Sequence, residues 1–216
     1  MNAHQVDQKL NQRYAEVLRR LRDKLGAMQA EFAALSPEQK AEVLAAQSER
    51  AAEADRVGEF FAGLKENPCP TCVDHCCKNY EAFGFHKGLD DTHPDVVADP
   101  EKLLQYLLPP RPSDFVPAAP GPAVLDPTLL VDYIDRCFFL SPTGCNLPMS
   151  YRSHTCLGYQ CGKLKKVTGT EYSAIAYSSA PVATLYQIGK RIDDIVYPAG
   201  PGHYVHGNHF ARQRPY

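Results

Sequence analysis

At 216 residues the chain is long enough for one domain with a genuine hydrophobic core, or a small domain plus an appendage, so cysteine need not substitute for a core. A formal net charge of -2 and a pI near 6.4 exclude a broad electrostatic attraction to nucleic acid or to an anionic membrane. The opening MNAHQVDQKLNQRYAEVL lacks the apolar core and cleavage site of a secretory signal, and no segment approaches the roughly 18 apolar residues of a membrane span, so a cytoplasmic location is expected.

From about Gln5 to Leu35, the apolar residues Leu10, Tyr14, Val17, Leu21, Leu25, Met28 and Phe32 recur at helical steps among charges, which predicts an amphipathic helix. Ser36, Pro37 and Glu38 then supply a cap, a first-turn proline and an early acid, the signals of a new helix start. Val43, Leu44, Ala51, Ala54, Val57, Phe60, Phe61 and Leu64 carry that second helix onward to Pro68. Joined by so short a turn, the two helices are expected to form an antiparallel hairpin on the order of 45 Å long, at 1.5 Å per residue. A structural brace is the simpler reading of this hairpin, and an arm for a protein partner is the other. Its apolar stripe must be covered, either by the cysteine-rich part of the chain or by a second copy.

The stretch from Asn67 to Gly88 reads as a connector carrying ligands. Asp99-Pro100-Glu101 begins a short helix through Leu107 that Pro109 and Pro110 stop. Residues 109 to 123 form a proline-rich link, better read as a loop hugging the scaffold than as a recognition motif. Cys137 to Leu140 is predicted as a buried strand leading into a turn at Ser141-Pro142-Thr143-Gly144. Pro181 opens a last helix whose Val182, Leu185, Ile188, Ile192 and Ile195 step at helical spacing, and an extended tail follows from Tyr197.

The eight cysteines fall in two tight groups: Cys69, Cys72, Cys76 and Cys77, then Cys137, Cys145, Cys156 and Cys161. Cys69-x2-Cys72, flanked by Pro68 and Pro70, is the spacing of a short turn from which two thiolates can point at one ion. In a reducing compartment, clustered thiols bind metal or cycle redox rather than form structural disulfides. The adjacent Cys76 and Cys77 diverge too much to chelate one tetrahedral ion comfortably, so one of them faces a second metal or stays free.

The second group reads Cys137-Phe138-Phe139-Leu140, Gly144-Cys145, Arg152-Ser153-His154-Thr155-Cys156 and Gly158-Tyr159-Gln160-Cys161. Taken with Cys69, Cys72 and Cys76-Cys77, this order resembles the YkgJ-like cysteine-cluster family, whose domain chelates zinc or iron. The family pattern is an early Cys-x2-Cys and a Cys-Cys pair, then Cys-x-x-Leu, Gly-Cys and Arg-Pro-x-x-Cys. The chain departs from it in the three residues between Cys72 and Cys76, where two are usual, and in Ser153, where proline is usual. The resemblance spans roughly residues 66 to 165 and implies metal chelation without a specific reaction.

Zinc would sit in a closed tetrahedron as a structural staple, and two such ions would use all eight sulfurs. An iron-sulfur cluster needs about four cysteines and leaves the rest as outer-sphere or redox partners. The Cys76-Cys77 pair and the surplus of thiols over one site lean toward iron or an iron-sulfur cluster, with zinc left open. Arg152 is expected beside the site, bonding a thiolate or a buried carbonyl and offsetting negative charge. His75 and His154 can each reach a metal or serve as plain loop histidines. The tail His203, His206 and His209 is read as solvated, because Gly202 and Gly207 oppose a helix. Tyr80, Phe83, Phe85, Tyr151 and Tyr159 are read as the dry wall of the site.

No Cys-x3-Cys-x2-Cys occurs, since Asn79 stands where the third cysteine would be, so radical adenosylmethionine chemistry is not supported. Phosphate loops, dinucleotide turns and Gly-x-Ser-x-Gly are also missing. A thiol-disulfide protein using Cys69 and Cys72 is an alternative, although its motif follows a long helix rather than a strand. A zinc-stapled interaction module is another. The expected architecture is mainly α around an irregular, metal-stapled, cysteine-rich core. It comprises an N-terminal helical hairpin (1–65), a cysteine-cluster domain (66–165), and a C-terminal helix and tail (166–216).

Overall fold

The computed structural model of the chain describes residues 3–63, 88–108, 137–141, 144–153, 156–157 and 180–198. Among these the protein is mainly helical. Helix α1 runs Ala3–Ala34 and α2 runs Pro37–Ala62. After a 3-10 turn at Leu89–Asp91 come two short helices, α3 at Pro94–Ala98 and α4 at Glu101–Leu104. Strands β1 (Leu140–Ser141) and β2 (Gly144–Cys145) pair antiparallel, with Leu140 opposite Cys145. A second 3-10 turn spans Met149–Tyr151, and α5 spans Ala180–Val196.

The break between α1 and α2 is a capping box. The Gln39 backbone N–H donates to Ser36 Oγ at 3.2 Å, and the Ser36 N–H donates back to Gln39 Oε1 at 3.0 Å. Each side chain thereby satisfies a backbone donor that the helix start leaves open, as the Ser36-Pro37 signal implies.

Side-chain size decides what each long helix packs on. On α1, Leu10, Val17, Leu21, Leu25 and Met28 are buried at the expected helical spacing. From Val17 to Met28 this bulky stripe joins a cluster with Val96, Val97, Leu103, Leu104, Leu107, Phe138 and Phe139. The Tyr14 ring meets Phe138 edge-on at 5.4 Å, and Gln29 Nε2 donates to the Val97 carbonyl at 3.1 Å. The stripe of α2 is small instead, with Ala46, Ala51 and Ala54 buried beside Val43 and Val57. Alanine lets another backbone come near, and α2 lies most closely along α5.

That pair runs antiparallel. Gln39 Nε2 donates to the Ile195 carbonyl at 3.0 Å, Arg191 bonds Glu49, and Leu185 packs with Ala54 and Val57. The turn between α1 and α2 is present and Val43 and Ala46 of α2 share the apolar cluster of Val17, Leu21, Leu25 and Met28, while the closest backbone approach of α1 is to α3 and that of α2 is to α5. The α1 stripe is covered by the chain itself.

The expected buried strand from Cys137 is also shorter than its apolar run suggests. Cys137, Phe138 and Phe139 are buried in a turn, and strand pairing begins only at Leu140. This turn is tied to the end of the central helices. Leu108 N–H donates to the Phe138 carbonyl at 2.8 Å, and Asn146 N–H to the Phe139 carbonyl at 2.7 Å. The expected helix after Asp99 is present as α4, started by Asp99 Oδ1 accepting from Glu101 N–H at 3.0 Å, but it ends at Leu104 in a turn rather than reaching Leu107. Helix α3, absent from the sequence reading, begins at Pro94 behind a histidine cap: His93 Nδ1 accepts the Asp95 N–H at 3.1 Å.

Candidate metal centre

Of the expected ligands, Cys137, Cys145 and Cys156 are described. Cys69, Cys72, Cys76, Cys77 and Cys161 lie outside the described residues, as do His75, His154, Tyr80, Phe83, Phe85, Tyr159, the 109–123 link and the histidine tail. Among the described residues, no group of three or more His, Cys, Asp or Glu side chains is placed to hold a metal ion.

The hairpin and the turn after it carry the described thiols. Cys137 is buried in the main apolar cluster, and Cys145, at the end of β2, packs against that cluster. Cys156 lies in a helical turn that Ser153 starts: Ser153 Oγ accepts the Cys156 N–H at 3.3 Å, and the Ser153 carbonyl accepts the Leu157 N–H at 3.0 Å. The same hydroxyl lies 3.3 Å from Cys156 Sγ, where its O–H can donate to the sulfur. Serine therefore has a definite part at this position, since a residue without a hydroxyl could make neither bond.

Although Cys156 is exposed as a residue, the protein is dense around its thiol, and this desolvation pushes the thiol up to about 11. The Ser153 hydrogen bond and the charge of Arg152 pull the other way, while Cys145 and Asp91 add to the rise. Cys145 and Cys156, both free thiols, are linked through residues 152 and 153: the Arg152 side chain reaches the Cys145 carbonyl and the Ser153 hydroxyl reaches Cys156 Sγ. Such a soft donor pair suits zinc, iron or a cluster, and any such group would draw its remaining ligands from outside the described residues.

Arg152 takes carbonyl partners, one of the two alternatives its sequence position offered. Its Nε donates to the Leu147 carbonyl at 3.0 Å and its Nη2 to that of Cys145 at 3.4 Å. The guanidinium so folds back over the segment that follows β2.

Sequence reading missed a polar layer behind this segment. Arg50 and Gln47, three residues apart on α2, are both fully buried. Arg50 Nη2 donates to Asp91 Oδ1 at 2.7 Å and to the Arg152 carbonyl at 2.8 Å. Gln47 Nε2 donates to the Leu89 carbonyl at 2.8 Å. Among the described residues, Arg50 Nε and Nη1 and Gln47 Oε1 find no partner. The only sequence trace of this layer is polar residues recurring on the α2 face that also carries Val43, Ala46 and Ala54, a pattern that an amphipathic reading assigns to solvent.

On the outer side, the His93 ring stacks on Tyr151 at 4.3 Å, and Tyr151 donates to Asp95 Oδ2 at 3.3 Å. Tyr151 was expected in the wall of the site, and it packs here against His93 and Tyr106. Burial first, then the Asp95 charge and hydrogen bond, push the Tyr151 phenol up to about 12.

No family model, curated protein or solved structure matches the chain. Among the described residues, no helix is long and apolar enough to cross a membrane.

Proposed function

We propose that this is a metal-binding cysteine-cluster protein that chelates iron, as a mononuclear ion or an iron-sulfur cluster, or zinc, through its two groups of four cysteines. The carrying observation is the pattern Cys69-x2-Cys72-x3-Cys76-Cys77 joined to Cys137, Cys145, Cys156 and Cys161, a thiol density that core packing does not call for. The neighbouring Cys145 and Cys156 thiols, backed by the Arg152 guanidinium, support it. Bound there, iron would supply one-electron redox chemistry, whereas zinc would supply a closed structural staple.

The residues have distinct parts in this reading. The eight cysteines are the ligand pool. Arg152 holds the Cys145 and Leu147 carbonyls and lowers the charge cost of thiolates nearby. Ser153 donates toward Cys156 Sγ. A metal cation also opposes the upward push on Cys156, because it binds the thiolate and releases the proton.

The test is metal and acid-labile sulfide content, with an absorption spectrum, on protein purified without oxygen. Iron with sulfide and a brown chromophore establishes a cluster protein. Colourless protein with stoichiometric zinc makes it a stapled scaffold suited to a protein partner. Metal-free protein from metal-replete cells overturns the proposal and leaves the Cys69/Cys72 dithiol reading.

A further inference from the structure

We infer that Arg50, a residue of α2 remote from every cysteine in sequence, is the positioning residue of the Cys145 and Cys156 thiol pair. The inference rests on the metal-binding reading for its ligand, though not for its geometry. Among the described residues between Cys145 and Cys156, the regular structure is a 3-10 turn at Met149–Tyr151. Such a segment has little of its own to hold two sulfurs in register.

What holds it is a chain of bonds ending on α2. Arg50 Nη2 takes the Arg152 carbonyl at 2.8 Å. The Arg152 side chain, leaving the same residue, folds back to the carbonyls of Leu147 and Cys145. The next residue, Ser153, starts the turn that carries Cys156 and touches its sulfur. Residue 152 is therefore the joint between the two thiols, and Arg50 pins that joint to a long helix. The same Nη2 binds Asp91, so the charge that faces Cys156 from the 89–91 turn is fixed by the same atom.

Stability alone does not account for the arrangement. A buried ion pair seldom recovers its desolvation cost, and here Nε and Nη1 of the guanidinium have no partner among the described residues. Hydrogen bonds that support the ligands of a metal typically tune its affinity about 10–100-fold. Lysine cannot replace arginine here, because its compact, strongly hydrated ammonium ends a bond short of the place Arg50 Nη2 takes between the Asp91 carboxylate and the Arg152 carbonyl.

The experiment compares wild-type protein with Arg50→Met, Arg50→Lys and, as a control for general destabilisation, Ile192→Ala in the core shared by α2 and α5. Two readouts are taken on full-length, metal-free, reduced protein whose helix content is verified by circular dichroism. One is the affinity for cobalt(II), read from its thiolate charge-transfer band. The other is the yield of the Cys145 to Cys156 bridge formed by dibromobimane, mapped by peptide mass spectrometry and normalised to total thiol alkylation.

Both Arg50 variants are expected to bind cobalt at least about tenfold more weakly and to bridge Cys145 to Cys156 several-fold less, with Ile192→Ala close to wild type in both. If Arg50→Met does not fold, Arg50→Lys decides. Wild-type bridging and affinity in the folded Arg50 variants overturn the inference while leaving metal binding intact. Absence of the bridge in wild-type protein also overturns it. A wild type that binds no cobalt, yet loses the bridge on substitution of Arg50, overturns the metal reading and upholds the positioning role.

Discussion

Arg50 and Asp91 meet at 2.7 Å with side chains only 1% and 4% exposed, a charge pair sealed between α2 and the 89–91 turn. The pair is two charges that water has abandoned, and each is tolerable only while the other is present. Removing one partner leaves an uncompensated buried charge, whereas removing both leaves an apolar gap.

Asp91→Ala is therefore expected to lower the unfolding free energy by about 3–5 kcal/mol, while Arg50→Met combined with Asp91→Leu costs far less or stabilises. Urea denaturation of the two single variants and the double variant measures this as a coupling energy. Nε and Nη1, unpartnered among the described residues, strengthen the expectation, because the double variant removes those donors as well. Additive losses would show that the two charges are separately solvated.

His93 makes stability depend on pH. Burial holds its pKa below the usual imidazole value of about 6.5, with the Arg50 charge in the same direction and Asp95 and Asp55 opposing. Protonation would also occupy Nδ1, which accepts the Asp95 N–H as the cap of α3. The folded state thus binds fewer protons than the unfolded state in the window below about pH 6.5, so stability rises with pH across that window and is lost as pH falls through it. Thermal melts between pH 5 and pH 8 should show the loss in wild type and a flatter profile in His93→Asn, which keeps a capping acceptor without the charge. Parallel profiles would assign the acid sensitivity elsewhere.

How far the sequence reaches depends on whether a feature is local. The break at Ser36 was legible because a capping box is written within four residues, and α5 was legible because Leu185, Ile188 and Ile192 carry its period. Which helix packs on which was not, since the preference of α2 for α5 turns on alanines meeting bulky aliphatic residues from far along the chain. The polar layer was hidden for the same reason. An arginine on an amphipathic helix reads as solvated until Asp91, 41 residues away, is seen opposite it. For the candidate site, the position of Arg152 among the cysteines left a thiolate or a carbonyl as its partner, whereas Ser153 registered only as a departure from a pattern. Its capping role depends on the turn that it starts.

Cys156 should be a slow nucleophile in the metal-free protein. With its thiol pushed up to about 11 by desolvation, roughly a thousandth is thiolate at pH 8, because the thiolate alone reacts. Alkylation by iodoacetamide, followed at the Cys156 peptide by mass spectrometry, should accelerate about tenfold per pH unit between pH 8 and pH 10. Ser153→Ala removes a hydrogen bond that favours the thiolate and should slow the reaction further, whereas Asp91→Asn removes a nearby negative charge and should speed it. A rate that levels off near pH 8.5 would place the thiol in ordinary solvent.

Gly58 sets the approach of α2 to the Met149–Tyr151 turn. A Cβ built there would lie 2.6 Å from Met149 Cγ and 3.3 Å from Met149 Cβ, and the near end of a side chain cannot swing clear as its tip could. In an exposed helix interior, Gly→Ala gains about 1 kcal/mol from helix propensity. Here overpacking costs about 1–3 kcal/mol, enough to cancel or exceed that gain. Gly58→Ala should lower the melting temperature. In a Met149→Ala background, where the obstructing Cγ is gone, the same substitution should raise it. This reversal of sign isolates the contact from propensity, which is identical in both backgrounds. Because residue 149 leads directly into Arg152, Gly58→Ala in the wild-type background should also reduce the Cys145 to Cys156 bridge. A rise in melting temperature in the wild-type background would mean that α2 stands further from the turn than this packing requires.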